Sequence, residues 1–314
     1  MWKPFRRPND FFRALARIPA PGTGQCHRSL LGAANAGVRG GYDDNFIFEQ
    51  IRAHIPPGDR PVPDREIAAA VQRARHDHGI YPYRAAVVIP VVNEPVLDGD
   101  AARKWLIEQG NGATADRITA CSPIPIPARG QDQARLLLKT LYAPQDIVCS
   151  GALRETGVVA VEFLLVDLAN GAPVGPFITP NTLTGRLGYT KDGRLSRRAD
   201  SCVAVHRLCL VEFDNLSLKD QFAFWAAVDL PIAALIYSGG KSIHGWIRMD
   251  CADEEDWERR VRHELYRRFL VPMGADRSNA NPSRFSRMPG WRREETGAVQ
   301  QLLYLAPEGR RVQP

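Results

Sequence analysis

The sequence predicts an α+β chain, with a small all-α N-terminal domain followed by a longer mixed part. Three observations predict it. Residues 1–80 carry apolar side chains at three- and four-residue spacing and show no strand alternation. Residues 81–205 mix short apolar runs, Pro and Gly with two helical stretches, which reads as an additional α/β part. Residues 206–305 run strand, helix, strand, strand, helix, strand. That last order is the split βαβ arrangement, a ferredoxin-like or RRM-type core (βαββαβ).

The bulk properties agree with a globular chain. Its 314 residues allow two domains, expected at 1–80 and 81–314 with the core at 206–305. Hydrophobic residues at 44% and charged residues at 24% exclude a disordered chain and a fibre. The longest apolar run, around Ala85–Val92, is broken by Pro90, so no membrane span is expected. The basic start, Met1-Trp-Lys-Pro-Phe-Arg-Arg-Pro, leads into no apolar core or cleavage site. A cytoplasmic protein without a membrane partner is expected. Cys26, Cys121, Cys149, Cys202, Cys209 and Cys251 include no C-x-x-C pair, so neither a disulfide framework nor a zinc module is expected. The net charge of +6 fits a polyanionic partner.

The elements follow in order. Asp10–Arg17, Ser29–Ala36 and Asp44–Ala53 read as short amphipathic helices. Pro63-Asp-Arg-Glu-Ile opens a fourth, running to about Arg75, with Ile67, Val71 and Ala74 in one stripe. Ala101–Gln109 and Gln131–Leu141 read as helices. β-Branched residues and turn signals dominate from Val158 to Pro180, and Thr190–Arg198 is polar and reads as a loop. His206–Asp214 is a strand. Ser217-Leu-Lys-Asp220 is a capping box that opens a helix to about Val228. Ile232–Ser238 is a second strand and Gly239-Gly240 a turn.

Ser242–Met249 is the third strand, with Ile243, Gly245, Ile247 and Met249 on one face and Ser242, His244, Trp246 and Arg248 on the other. The apolar face must pack on the helices, so the polar face is expected on the open side of the sheet. Asp253 opens an amphipathic helix with Trp257, Val261, Leu265 and Phe269 four apart. Strand-like sequence follows Asp276, and in a split βαβ unit the last strand lies beside the first.

The candidate chemistry sits in this core. Glu212 and Asp214 are two residues apart at a strand end, so alternation places both carboxylates on one face, with Cα atoms about 7 Å apart. Converging carboxylates repel unless a cation lies between them, and oxygen donors suit Mg²⁺ or Mn²⁺. Ser242 and His244 share a face by the same alternation. Ser238-Gly-Gly-Lys-Ser is no P-loop: the glycine needed five residues before Gly240 is Leu235, and a strand follows instead of a helix. Ser238, Gly239, Gly240 and Lys241 still form a glycine-rich turn able to hold phosphate oxygens. Asp276 lies where it could reach the Glu212–Asp214 pair, and Arg284 and Arg287 follow, three apart. Alone, each of these also reads as a solvated acid, a structural histidine, a hairpin turn or a surface arginine. Together they supply the parts of two-metal phosphoryl transfer: carboxylates for two cations and basic groups for a departing pyrophosphate.

Glu212-Phe213-Asp214, Ser242-Ile243-His244 within Tyr237-Ser-Gly-Gly-Lys-Ser-Ile-His, and Ala275-Asp276 followed by Asn281-Pro-Ser-Arg-Phe-Ser-Arg-Met-Pro-Gly resemble the three motifs of the archaeo-eukaryotic primase superfamily, in its phage- and plasmid-type primase-polymerase branch. The first motif more often begins with Asp, where this chain has Glu212. The resemblance implies a DNA primase or primase-polymerase of a mobile genetic element, with Glu212, Asp214 and Asp276 binding two divalent ions, Mg²⁺ or Mn²⁺, and no zinc. It implies that His244, Ser242 and Lys241, in the turn from Ser238, contact the triphosphate, and that Arg284 and Arg287 add phosphate contacts. It implies single-stranded DNA as template, NTP or dNTP as substrate, and a replicative helicase on a separate chain as a partner. Residues 25–75 resemble the helical domain found C-terminal to such catalytic domains, here placed N-terminal. Two other readings stand beside this one: a non-catalytic replication-initiator or single-strand DNA-binding module on the same fold, and a nuclease using the same acids.

Overall fold

The computed structural model describes residues 8–22, 26–79, 98–128, 130–152, 156–173 and 175–313. The apolar run around Ala85–Val92 lies outside the described residues. Contacts divide the chain into two compact units, one made of the N-terminal region with Gly185–Cys202, the other of the remainder.

The first unit carries helices α1 (Pro8–Leu15), α2 (Cys26–Arg39), α3 (Asp44–His54) and α4 (Asp64–Asp77). Asp43 caps α3 by accepting from the Phe46 N–H, which satisfies one of the helix's orphan donors. The stripe Ile67, Val71 and Ala74 is fully buried against Phe11, Leu30, Ile47, Phe48 and Ile51.

In the second unit come α5 (Gly99–Gln109), α6 (Ala115–Ala120), α7 (Gly130–Leu141), β1 (Ile147–Gly151), β2 (Gly157–Ala160), α8 (Val161–Ala169), β3 (Phe177–Ile178) and β4 (Thr182–Leu183). The region Val158–Pro180 is thus interrupted by a helix. Val161-Glu-Phe-Leu-Leu-Val-Asp-Leu-Ala buries Val161 and Leu168, seven apart, so helical packing overrides β-branched content. The polar stretch Thr190–Arg198 is not a plain loop. β5 (Gly188–Tyr189) pairs with β6 (Leu195–Ser196) in a hairpin belonging to the first unit. Leu195 enters that unit's core, and Gln72 donates to the Gly193 carbonyl at 2.7 Å.

The remaining elements are β7 (Val203–Val211), α9 (Leu218–Ala227), β8 (Ile232–Tyr237), β9 (Ile243–Cys251), α10 (Glu254–Trp257) with its π-helical continuation Glu258–Leu270, β10 (Ser286–Arg287) and β11 (Gln301–Arg310). Ser217 caps α9 and forms the expected box with Asp220. The sheet runs β10-β3-β1-β4-β7-β9-β8-β11, with β2 on β1, and every pairing is antiparallel. The last long strand therefore lies beside β8, not beside the first strand of the core, whose free edge is taken by β4. The sequence directly after Asp276 is a 3₁₀ turn, Arg277–Ala280, and the edge strand starts only at Gln301.

Two further expectations change. The face of β9 bearing His244 and Trp246 is not open. Leu208, Leu210, Ala234, Ile236, Trp246 and Leu302 form a core with Leu137, Leu138 and Leu141 of α7, while Cys209, Val211, Ile243 and Ile247 pack on Phe224 and Trp225 of α9. The continuous apolar runs in β7 and β8 are the signature of strands covered on both faces. The second helix buries Trp257, Val261, Tyr266 and Leu270, at spacings of four, five and four, while Leu265 and Phe269 are only half-buried. The wider π turn moves the buried stripe by one residue after Val261. All six cysteines are free thiols, and no described helix is long and apolar enough to cross a membrane.

Candidate active site

The candidate site forms where β7 ends and β9 begins. Antiparallel pairing sets Val211 opposite Gly245, so Glu212 leaves one strand beside the start of its neighbour. Phe213 is fully buried, with its ring 4.6 Å from that of Phe224. That anchor fixes the segment just beyond β7, which ends at Val211, so Glu212 and Asp214 lie past the strand expected to carry them. Gly245 is required here: a Cβ on it would stand 2.2 Å from the Trp225 ring.

Glu212 is the hub. Ser242 Oγ donates to its Oε1 at 2.6 Å, and His244 Nε2 stands 3.3 Å from the same oxygen. Both contacts fall on Oε1. Burial pushes the Glu212 carboxyl up. Hydrogen bonding and attraction from His244, the Ser242 hydrogen bond and the charge of Arg287 outweigh it and bring the pKa down to about 2. Glu212 is therefore an anion at neutral pH despite being mostly buried.

Asp276 reaches this point through its backbone, its N–H donating to the Glu212 carbonyl at 3.0 Å. Its carboxylate caps the 3₁₀ turn through Ser278 and lies 3.8 Å from Arg284, which also donates to Asn279 at 2.9 Å. Asp214 is half-exposed and 3.6 Å from the ammonium of Lys241. Glu212, Ser242 and His244 thus come together, while Asp214 and Asp276 flank them, each held by a cation. Among the described residues, no three His, Cys, Asp or Glu side chains stand close enough together to hold a metal ion.

The glycine turn is held firmly. Ser238 and Ser242 bond to each other through backbone and hydroxyl, closing Gly239-Gly240. Gly239 has a φ of +70°, which favours glycine. Gln221, fully buried in α9, donates to the Lys241 carbonyl at 2.9 Å and accepts from the Ile243 N–H at 2.8 Å. Arg293 lies across the turn, with Nη1 2.7 Å from where a Cβ on Gly240 would be. Arg287 stacks on Phe177 at 4.6 Å, and burial and the neighbouring charge of Arg293 lower its pKa.

Gln221, Ser286 and Arg293 are the residues that sequence reasoning missed. Ser286 Oγ lies 3.2 Å from His244 Nδ1 and accepts from the Trp246 indole at 2.7 Å. In the ladder, four strands separate β10 from β9, so the sheet curls until its edge covers the face of β9. The basic pair Arg292-Arg293 after Pro289-Gly290 was the available signal for Arg293.

No family model matches the chain, and no curated protein matches it. Among solved structures, the AEP domain of the primase-polymerase of cyanophage S-2L aligns over 60% of this chain and 100% of its own, at 19% identity and a TM-score of 0.39. A likeness of that size does not bear on fold or activity.

Proposed function

We propose that the chain is a template-directed nucleotidyltransferase, a DNA primase or primase-polymerase acting on single-stranded DNA. The observation that carries this reading is the composition of one sheet end. A buried, ionised Glu212 meets the backbone of Asp276 there, beside Asp214 and a glycine turn flanked by Lys241, Arg287 and Arg293. Acids for cations and bases for phosphates stand side by side, as transfer to an α-phosphate requires.

The donor set fits hard divalent ions. All three acids offer carboxylate oxygens, and Asp214 and Asp276 each already attract a cationic side chain. Glu212, Asp214 and Asp276 would hold two Mg²⁺ or Mn²⁺ ions. Once bound, these ions would polarise the α-phosphate and acidify the attacking 3′-hydroxyl. Loading requires Asp214 to release Lys241 and Asp276 to release Arg284. Lys241, on an exposed turn, is then free to meet the triphosphate beside Gly239, Gly240 and Arg293, with Arg284 and Arg287 as outer phosphate contacts. Ser242 and His244 stand behind Lys241, lining the same end while they hold Glu212.

The separation of the three acids also suits a non-catalytic single-strand DNA-binding module on the same fold. Incubation with single-stranded DNA, Mg²⁺ or Mn²⁺ and labelled nucleotides separates the two. The enzyme makes short oligomers, and a folded Asp214→Ala variant makes none. DNA binding without incorporation, or full incorporation by Asp214→Ala, would overturn the assignment.

A further inference from the structure

The buried face of β9 contains a hydrogen-bonded chain whose direction is fixed by chemistry. An indole N–H can only donate. Trp246 gives its proton to Ser286 Oγ at 2.7 Å, and both residues are fully buried. The Ser286 hydroxyl must then place its own proton, and the polar atom facing it is His244 Nδ1 at 3.2 Å. In the neutral ring, a nitrogen that accepts carries no proton, so the ring proton then sits on Nε2, 3.3 Å from Glu212 Oε1. The opposite tautomer would strand the serine proton in a dry pocket and set the Nε2 lone pair against a carboxylate. Each of those is an unsatisfied or repulsive buried contact.

We infer that Ser286 and Trp246 are positioning residues that lock His244 in its Nε2–H tautomer and thereby hold Glu212. Trp246 is clamped in the core by Leu208, Leu210 and Ile236, so the rigidity of the sheet interior reaches the carboxylate through two hydrogen bonds and the 3.3 Å contact of Nε2 with Oε1. With Ser242 on the same oxygen, Oε1 is held from two sides. The kinetic consequence rests on the reading of Glu212 as a carboxylate of nucleotidyl transfer; the tautomer itself does not.

The test is ¹⁵N NMR of the full-length chain labelled at histidine, with the His244 signals identified by their loss in His244→Gln. In the neutral ring, Nδ1 should resonate as an unprotonated nitrogen and Nε2 as a protonated one. Ser286→Ala should mix the tautomers, and Ser286→Thr, which keeps the hydroxyl, should restore the wild-type pattern. In nucleotide incorporation, Ser286→Ala should lower kcat roughly tenfold to a hundredfold, with KM nearly unchanged and rescue by Ser286→Thr. Trp246→Phe keeps the packing and frees the serine oxygen. It should also broaden the tautomer distribution, and it stands in if Ser286→Ala fails to fold. A protonated Nδ1 in the wild type, or an unaltered tautomer in both Ser286→Ala and Trp246→Phe, would overturn the relay. The expected tautomer in a chain that incorporates no nucleotide would uphold the relay and sink the primase reading alone.

Discussion

At the scale of the residue, Glu212 makes stability depend on pH. Its folded pKa of about 2 lies below the ordinary value of 4.5. A depressed carboxyl contributes stability above the unfolded value and loses it as pH falls toward the folded one. From pH 7 to pH 3, wild type should therefore lose about 2 kcal/mol more than Glu212→Gln, measured by denaturant unfolding. An equal loss in both proteins would remove His244 and Ser242 as holders of the anion. Lys241 and Arg293 should act on the nucleotide. Alanine at either should raise nucleotide KM roughly tenfold while leaving single-strand affinity unchanged, and loss of DNA affinity with unaltered KM would place them on the template. Glu212 with Asp214, and Ser242 with His244, were singled out by two-residue spacing at strand ends, and Asp276 by its place after the second helix. Ser286 was not: it meets His244 across 42 positions, through a sheet that curls on itself.

At the scale of the element, the helix after Asp253 shows where periodicity misleads. Its sequence pairs Trp257, Val261, Leu265 and Phe269 at the α spacing, yet the π winding buries Tyr266 and Leu270. One reason is polar: the Tyr266 hydroxyl donates to the Leu210 carbonyl on β7, a partner that no local pattern reveals. Two leucines make the test direct. Leu270→Ala should cost about 2–5 kcal/mol and Leu265→Ala clearly less. The reverse order in thermal or chemical unfolding would restore the α register. Gly245→Ala should cost about 1–3 kcal/mol, because the added methyl meets the Trp225 ring between two layers that cannot part. A neutral effect would mean that the strand and α9 are packed more loosely.

At the scale of the whole molecule, the chain's two compact units are interleaved in sequence. The α+β class was legible from period changes along the chain. The place of β11 beside β8 was not, since a strand's own pattern does not name its neighbour. Nor was the return of Gly185–Cys202 to the helical unit, which follows from Leu195 and from the Gln72 and Asp44 contacts with the hairpin. A deletion of residues 1–80 alone would strip the core from around Leu195, so both segments must be removed together. Leu183 pairs with Val203, so a short glycine linker can replace the hairpin. A primase must gather two nucleotides and a template before any primer exists, which is entropically harder than extending a paired end. The doubly deleted protein should therefore lose de novo synthesis more than extension of a supplied primer. Equal loss of both would make the helical unit a support rather than an initiation device.

Template direction is the central claim, and homopolymer templates test it most directly. The chain is given oligo(dT) or oligo(dC) single strands, Mn²⁺ and one labelled nucleotide at a time. Incorporation should follow complementarity, adenine on oligo(dT) and guanine on oligo(dC), and should vanish in a folded Asp276→Asn variant. Labelled products that ignore the template, or that persist undiminished in Asp276→Asn, would contradict it.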